Sequence, residues 1–173
     1  SCDKAKRLFG VLRPAQYAAV DVSVEFLEAA LEGLARQFPA ISMVCVGTDF
    51  SQGLRLPPAV GSEKRLFFYP GSSIGNFSPE EALALLSDIR AQCDAQGGLL
   101  IGVDLVKPEP VLQAAYDDAL GITAAFNLNV LRHLNARIGS DFHVGDWRHR
   151  ALFNAAASRI EMHLEARRPV TVH

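Results

Sequence analysis

Apolar and polar positions along this chain alternate between two periods. Short, nearly continuous apolar runs at 16–22, 41–47, 65–69 and 97–105 have the length and the bounding Gly or Pro residues of buried strands. Between them apolar residues recur at helical spacing. Phe26, Leu27, Ala30, Leu31, Leu34 and Phe38 form one such stripe, and Ala82, Leu85, Leu86, Ile89 and Cys93 form another. Leu8, Phe9 and Leu12 mark a shorter helix over 1–12, which Gly10 weakens. Strands that read as apolar throughout and alternate with helices predict an α/β fold with a parallel sheet covered on both faces. Residues 51–64, with Gly53, Pro57, Pro58 and Gly61, read as an irregular connection.

The best-specified stretch is 65–81. A strand ends at Pro70-Gly71, a loop of small residues follows, and a helix then starts with every local signal in agreement. Ser78 is a natural N-cap, Pro79 suits the first helical position, and Glu81 completes a Ser-x-x-Glu capping box. The loop between them lies at the carboxyl edge of the sheet, where open α/β folds bind ligands. Asn76 is its only side chain with both an amide donor and an amide acceptor; the plain alternative is that it caps a turn.

From Lys107 the texture changes. Val111, Leu112, Ala115, Tyr116 and Ala119 mark one helix, and Thr123, Phe126, Val130, Leu131, Leu134 and Ile138 a second, with Gly121 between them. Residues 141–150 are polar and turn-rich, and 158–167 alternate apolar and polar with period two, as a half-exposed strand does. The expected organisation is a core over 1–106 followed by part of an α+β subdomain over 107–173.

Composition narrows the partners. Of the 173 residues, 49% are apolar, enough for a core without disulfides or metal. The net charge of −2 and the lack of a basic stripe argue against nucleic acid, and no apolar run approaches the ~20 residues of a membrane helix. Cys2, Cys45 and Cys93 are an odd number without CxxC spacing, which fits reduced thiols and a cytoplasmic setting. Oligomeric state is not legible.

Three consecutive strands end in residues suited to a nucleoside. Asp21 can accept from ribose hydroxyls, Asp49 from an exocyclic adenine amine with Phe50 stacking on the base, and Gly71 lets backbone approach a ligand closely. Singly, an acid at a strand end is more often a helix cap; three on one sheet edge carry more weight. A dinucleotide fold would need a GxGxxG turn, absent from this chain, in a strand that would precede Ser1. The five histidines lack metal-ligand spacing, so no metal is expected. No Ser or Cys has the setting of a nucleophile. The arginines at 148, 150, 159, 167 and 168 and the pair Asp117-Asp118 read as solvated surface.

Taken together, Gly71-Ser72-Ser73-Ile74-Gly75-Asn76-Phe77, Gly102-Val103-Asp104-Leu105-Val106-Lys107, Ala115-Tyr116-Asp117-Asp118, Gly121-Ile122-Thr123-Ala124-Ala125-Phe126-Asn127 and Arg159-Ile160-Glu161-Met162-His163-Leu164 resemble, in order and spacing, the histidine-specific S-adenosylmethionine-dependent methyltransferases. The best-known member of that family makes hercynine on the route to ergothioneine. The resemblance implies a Rossmann-like methyltransferase sheet, S-adenosylmethionine as cofactor, and methylation of the α-amine of an amino acid, histidine first among candidates. Lys4 then matches a cofactor-contacting lysine at the tail of a glycine-rich loop, Asp21 the ribose-binding acid, Asp49 and Phe50 the adenine contacts, and Gly71 a backbone contact near the methyl donor. Asn76 matches the asparagine that grips the α-amino-acid end and Tyr116 a tyrosine reaching the same group, while Thr123 and Phe126 match residues lining that pocket.

The resemblance also implies an internal piece. The cofactor-loop glycines and further substrate residues would lie before Ser1, the residues selecting the imidazole after His173, and the piece alone would be inactive. Two rival readings are a nicotinamide-dependent oxidoreductase with Asp21 on the ribose, and a non-catalytic methyltransferase-like binding module.

Overall fold

The computed structural model describes residues 2–173; the part of the first helix expected at Ser1 lies outside them. The chain divides into two compact units, Ser1–Asp104 and Leu105–His173.

In the first unit, α1 (Asp3–Leu12) precedes two strand–helix–strand passages. The strand β1 (Gln16–Asp21) runs through α2 (Val24–Gln37) into β2 (Ser42–Gly47), and β3 (Leu66–Tyr69) runs through α3 (Pro79–Ala91) into β4 (Gly98–Ile101). Each passage closes a parallel pair: β1 with β2, where Asp21 stands opposite Gly47, and β3 with β4, where Tyr69 stands opposite Ile101. Parallel neighbours need such a crossover because a tight turn can only reverse the chain. The structure therefore holds mixed helices and strands with two short parallel pairs in place of the expected single sheet.

Each crossover helix buries the face that its sequence period assigns. Leu27, Leu31 and Leu34 of α2 pack on Ala19 of β1, with Tyr17, Met43 and Cys45 around them. Phe26, counted in the same stripe by sequence, is 61% exposed because it lies just off that face. Leu85 and Ile89 of α3 pack with Leu54 against Phe67, Leu99, Tyr69 and Val20, so residues of β1, β3 and β4 share one cluster. Burying each leucine contributes roughly 1.5–3 kcal/mol. The connection after β2 is held by side chains of α3: Leu54 N–H donates to Asp88 at 2.9 Å, and Gln92 donates to Leu54 O at 2.8 Å.

The fourth strand ends at Ile101, earlier than the Leu105 expected from its apolar run. Backbone beyond it leaves the ladder to bond the neighbouring loop: Gly102 O accepts from Ser72 N at 3.0 Å, and Asp104 N donates to Ser72 Oγ at 2.9 Å.

The second unit contains α4 (Glu109–Tyr116), α5 (Ile122–Ile138) and an antiparallel hairpin of β5 (Trp147–Asn154) with β6 (Arg159–Ala166). The strand expected from the period-two pattern is β6, whereas β5 begins inside the stretch taken for turns. Its edge arginines are paired: Arg148 with Glu165 at 2.8 Å, Arg159 with Glu161 at 2.6 Å, and Arg168 with Asp146 at 2.8 Å. On α5 the buried positions are Asn127 and Leu131, while Phe126 is 69% exposed. The expected stripe was thus rotated by about one position.

Candidate active site residues and their family

In the first unit the residues singled out by sequence, apart from Lys4 on α1, end or follow successive strands. Asp21 ends β1 and is half-buried; its Oδ1 accepts from Ser23 N at 3.1 Å, so the start of α2 is tied to this carboxylate, and Ser23 makes no side-chain cap. Thr48 N donates to Asp21 O at 3.2 Å, carrying the β1–β2 ladder up to Asp49. Asp49 caps the 3-10 turn Phe50–Gln52, its Oδ1 accepting from Ser51 N at 3.0 Å and Ser51 Oγ at 2.6 Å. Both acids therefore do the local capping that was the plain alternative. A carboxylate has about four acceptor positions, so one bonded oxygen leaves capacity for a ligand.

Phe50 links the ends of two strands. Its ring meets Tyr69 edge-on at 6.1 Å between centroids and lies 6.3 Å from Phe77 on the far side of the β3 loop. Burial at this edge raises the Tyr69 phenol above its ordinary value.

The β3 loop itself is built on two successive left-handed residues, Gly71 at φ +83° and Ser72 at φ +59°. Glycine takes this conformation freely; serine does so at a cost that its two bonds to the Gly102–Asp104 backbone offset. Gly102 eases the same approach, since a Cβ there would stand 3.2 Å from Gly71 N and crowd the loop. A Cβ on Gly71 would lie 3.4 Å from Lys4 Nζ, so the structure brings these two sequence-predicted residues together. Asn76 closes the following 3-10 turn, Ser73–Asn76, and is exposed. The capping box then opens α3: Glu81 N donates to Ser78 Oγ at 3.2 Å, and Ser78 N donates to Glu81 Oε2 at 2.8 Å.

In the second unit Tyr116 is the last residue of α4, and Thr123 and Phe126 lie in the first turns of α5. Asp118 is not an exposed helix-face acid. Its carboxylate accepts from Thr123 N at 2.8 Å and Ile122 N at 3.1 Å, capping α5, and these bonds with the Thr123 hydroxyl pull its pKa down to about 2. Thr123 is consequently held by its backbone and side chain alike. Two residues that sequence reasoning passed over, Asn127 and His149, are joined here by a 3.0 Å hydrogen bond. An asparagine one turn after Thr123 and one turn before Leu131, on the inward side of a helix, was the available signal.

Among the described residues no cluster of His, Cys, Asp or Glu could hold a metal ion, and no helix is long and apolar enough to cross a membrane.

With this geometry in view, comparison with known proteins is decisive. The model of the family described as "Histidine-specific methyltransferase, SAM-dependent" matches residues 1–173. The chain belongs to that family. Its cofactor is S-adenosylmethionine. Similar proteins include the histidine N-alpha-methyltransferase of Mycolicibacterium smegmatis, 37% identical over 169 residues that make up 95% of this chain and 52% of that protein. That of Mycobacterium tuberculosis is 37% identical over 162 residues, covering 94% and 49%. Ergothioneine biosynthesis protein 1 of Neurospora crassa is 36% identical over 139 residues, covering 76% of this chain and 15% of that protein. The chain thus spans about half the length of the two bacterial relatives.

The residues present suit part of an adenosyl site. The Cβ-free position at Gly71 leaves room beside the Lys4 amine, and two carboxylates and an aromatic ring stand on adjoining strand ends.

Proposed function

We propose that the full-length protein transfers methyl groups from S-adenosylmethionine to the α-amine of an amino acid, histidine, as its two bacterial relatives are named for doing. Family membership across the whole chain carries this reading, and favours it over a nicotinamide-dependent oxidoreductase and over a non-catalytic module.

In this reading the first unit is the cofactor-binding core, and the second is part of the substrate-side subdomain. The two parallel pairs belong to one Rossmann-like sheet. Two observations support this. Parallel pairs are rarely stable as two-stranded sheets, and Val20 of β1 already packs in the cluster that holds Phe67 of β3 and Leu99 of β4.

When bound, the cofactor supplies an electrophilic methyl group on a sulfonium. The protein's part is to hold and orient. Lys4 and Gly71 line the approach to the donor end, Asp21 takes the ribose hydroxyls, and Asp49 with Phe50 takes the adenine. Asn76 offers the α-amino-acid group both an amide donor and an amide acceptor, so it can hold carboxylate and amine together. On the second unit, Tyr116, Thr123 and Phe126 are the residues given to the substrate in this reading. The amine attacks only through its lone pair, so it must be bound after losing a proton. Orientation by fixed hydrogen bonds then lowers the remaining barrier. The three free thiols, Cys2, Cys45 and Cys93, support a cytoplasmic setting.

The test is mass spectrometry of the full-length gene product incubated with isotopically labelled S-adenosylmethionine and each common amino acid. Stepwise label on histidine supports the reading. Label on another amino acid keeps the reaction and changes the substrate. No label with the cofactor shown to bind leaves the binding module.

A further inference from the structure

Among the described residues of the second unit's core, Asn127 is the buried polar side chain, 9% exposed. Its amide nitrogen lies 3.1 Å from His163 O and 3.0 Å from His149 Nδ1. A backbone carbonyl only accepts, so the NH2 end of the amide must face His163, which decides the orientation of the side chain. The second amide hydrogen then points at His149 Nδ1, which must accept it. On the other side of the ring, Nε2 stands 2.8 Å from Tyr116 O, again an acceptor only, so Nε2 carries the proton. Two carbonyls therefore specify one amide orientation and one tautomer.

The result is a continuous chain of hydrogen bonds from β6 through α5 and β5 to the last residue of α4. Gln113, on the same last turn of α4, adds a second tie to β5 by donating to Ala151 O at 2.7 Å. The final carbonyls of a helix have no partner within it, and an end without one frays. Tyr116 is 37% exposed, and the reach of its phenol starts from the backbone that carries it.

We infer that His149 and Asn127 are positioning residues for Tyr116, fixing the end of α4 so that the phenol meets the substrate. The inference rests on the assignment of Tyr116 to the amino acid made above. His149 acts on the Tyr116 carbonyl and not on substrate.

The test uses the full-length gene product and measures methyl transfer to histidine, affinity for S-adenosylmethionine by calorimetry, and the thermal midpoint. The variants are His149→Asn, His149→Gln, Tyr116→Phe and the double variant His149→Asn with Tyr116→Phe. Asparagine can still accept from Asn127 but is too short for the Tyr116 carbonyl, whereas glutamine reaches it with a donor. Expected is a fall in kcat/KM for the amino acid of about tenfold or more in His149→Asn, with cofactor affinity and thermal midpoint unchanged. His149→Gln recovers most of the rate, and His149→Asn costs little further in the Tyr116→Phe background. Wild-type rates in His149→Asn, equal impairment in His149→Gln, multiplying effects in the double variant, or failure of His149→Asn to fold would each overturn the inference. Wild-type protein that transfers no methyl group overturns the proposed function and this inference with it; wild-type transfer with a silent His149→Asn overturns this inference alone.

Discussion

The amine of Lys4 on α1 stands 3.4 Å from the point that a Cβ on Gly71 would occupy. One residue lies before the first strand and the other directly follows β3, yet they share the rim of one loop. A side chain at 71 would meet that amine and would also have to adopt φ +83°, a conformation costing an L-residue roughly 1–2 kcal/mol.

Gly71→Ala in the full-length protein is accordingly expected to weaken S-adenosylmethionine binding by about tenfold, because the loop relaxes out of the strained conformation and about 1–2 kcal/mol must be restored on binding. Calorimetric titration of the cofactor reads this directly. Unchanged affinity would remove Gly71 from the cofactor's surroundings.

Asn76 should separate substrate from cofactor. It lies past the left-handed pair, on an exposed turn, with its amide available at the loop surface. Asn76→Ala is expected to reduce turnover by about a hundredfold, the loss that follows from misplaced reactants, while cofactor affinity stays the same. Steady-state kinetics beside a cofactor titration checks both halves, and wild-type turnover would refute the role.

The capping box makes a stability prediction independent of function. Ser78 and Glu81 satisfy each other's backbone donors at the start of α3, so Ser78→Ala should cost about 1 kcal/mol. Glu81→Ala should cost less in the Ser78→Ala background than alone, because the pair acts as a unit. Urea melts of the single and double variants decide it.

Acid sensitivity should concentrate in the second unit. Hydrogen bonds from the Thr123 and Ile122 backbone lower Asp118 from an ordinary 3.8 to about 2. The Arg159 guanidinium, with Asn154 and His163, lowers Glu161 from 4.5 to about 2. Both groups are more acidic folded than unfolded, so their stabilisation is complete above about pH 4.5 and is lost as pH falls toward about 2. Both are only partly covered, and the solvent beside them screens the effect and keeps it modest. The thermal midpoint should fall through that window, and Asp118→Asn should lower it at neutral pH while flattening its acid dependence.

Local chemistry was legible where one short segment decides the outcome. The capping box at Ser78, the buried faces of α2 and α3, the strand-end positions of Asp21 and Asp49 and the hairpin strand β6 all depend on neighbours within a turn or two. The exceptions are instructive. Gly102 to Leu105 is as apolar as a strand but spends its backbone bonds on Ser72, because the left-handed Ser72 needs partners. Phe126 fits a helical stripe but is turned outward, because Asn127 has partners on two strands and takes the inward position.

The sequence by itself determined the α-helices, the strands other than β5, the family and the residue types at the strand ends, since periodicity, caps and motifs are properties of contiguous chain. Only the tertiary structure decided that Lys4 faces Gly71 and that His149 joins Asn127 to Tyr116. Those relationships span gaps in sequence that no local pattern bridges, and each is settled by which carbonyl or amine the packed chain brings within hydrogen-bonding reach.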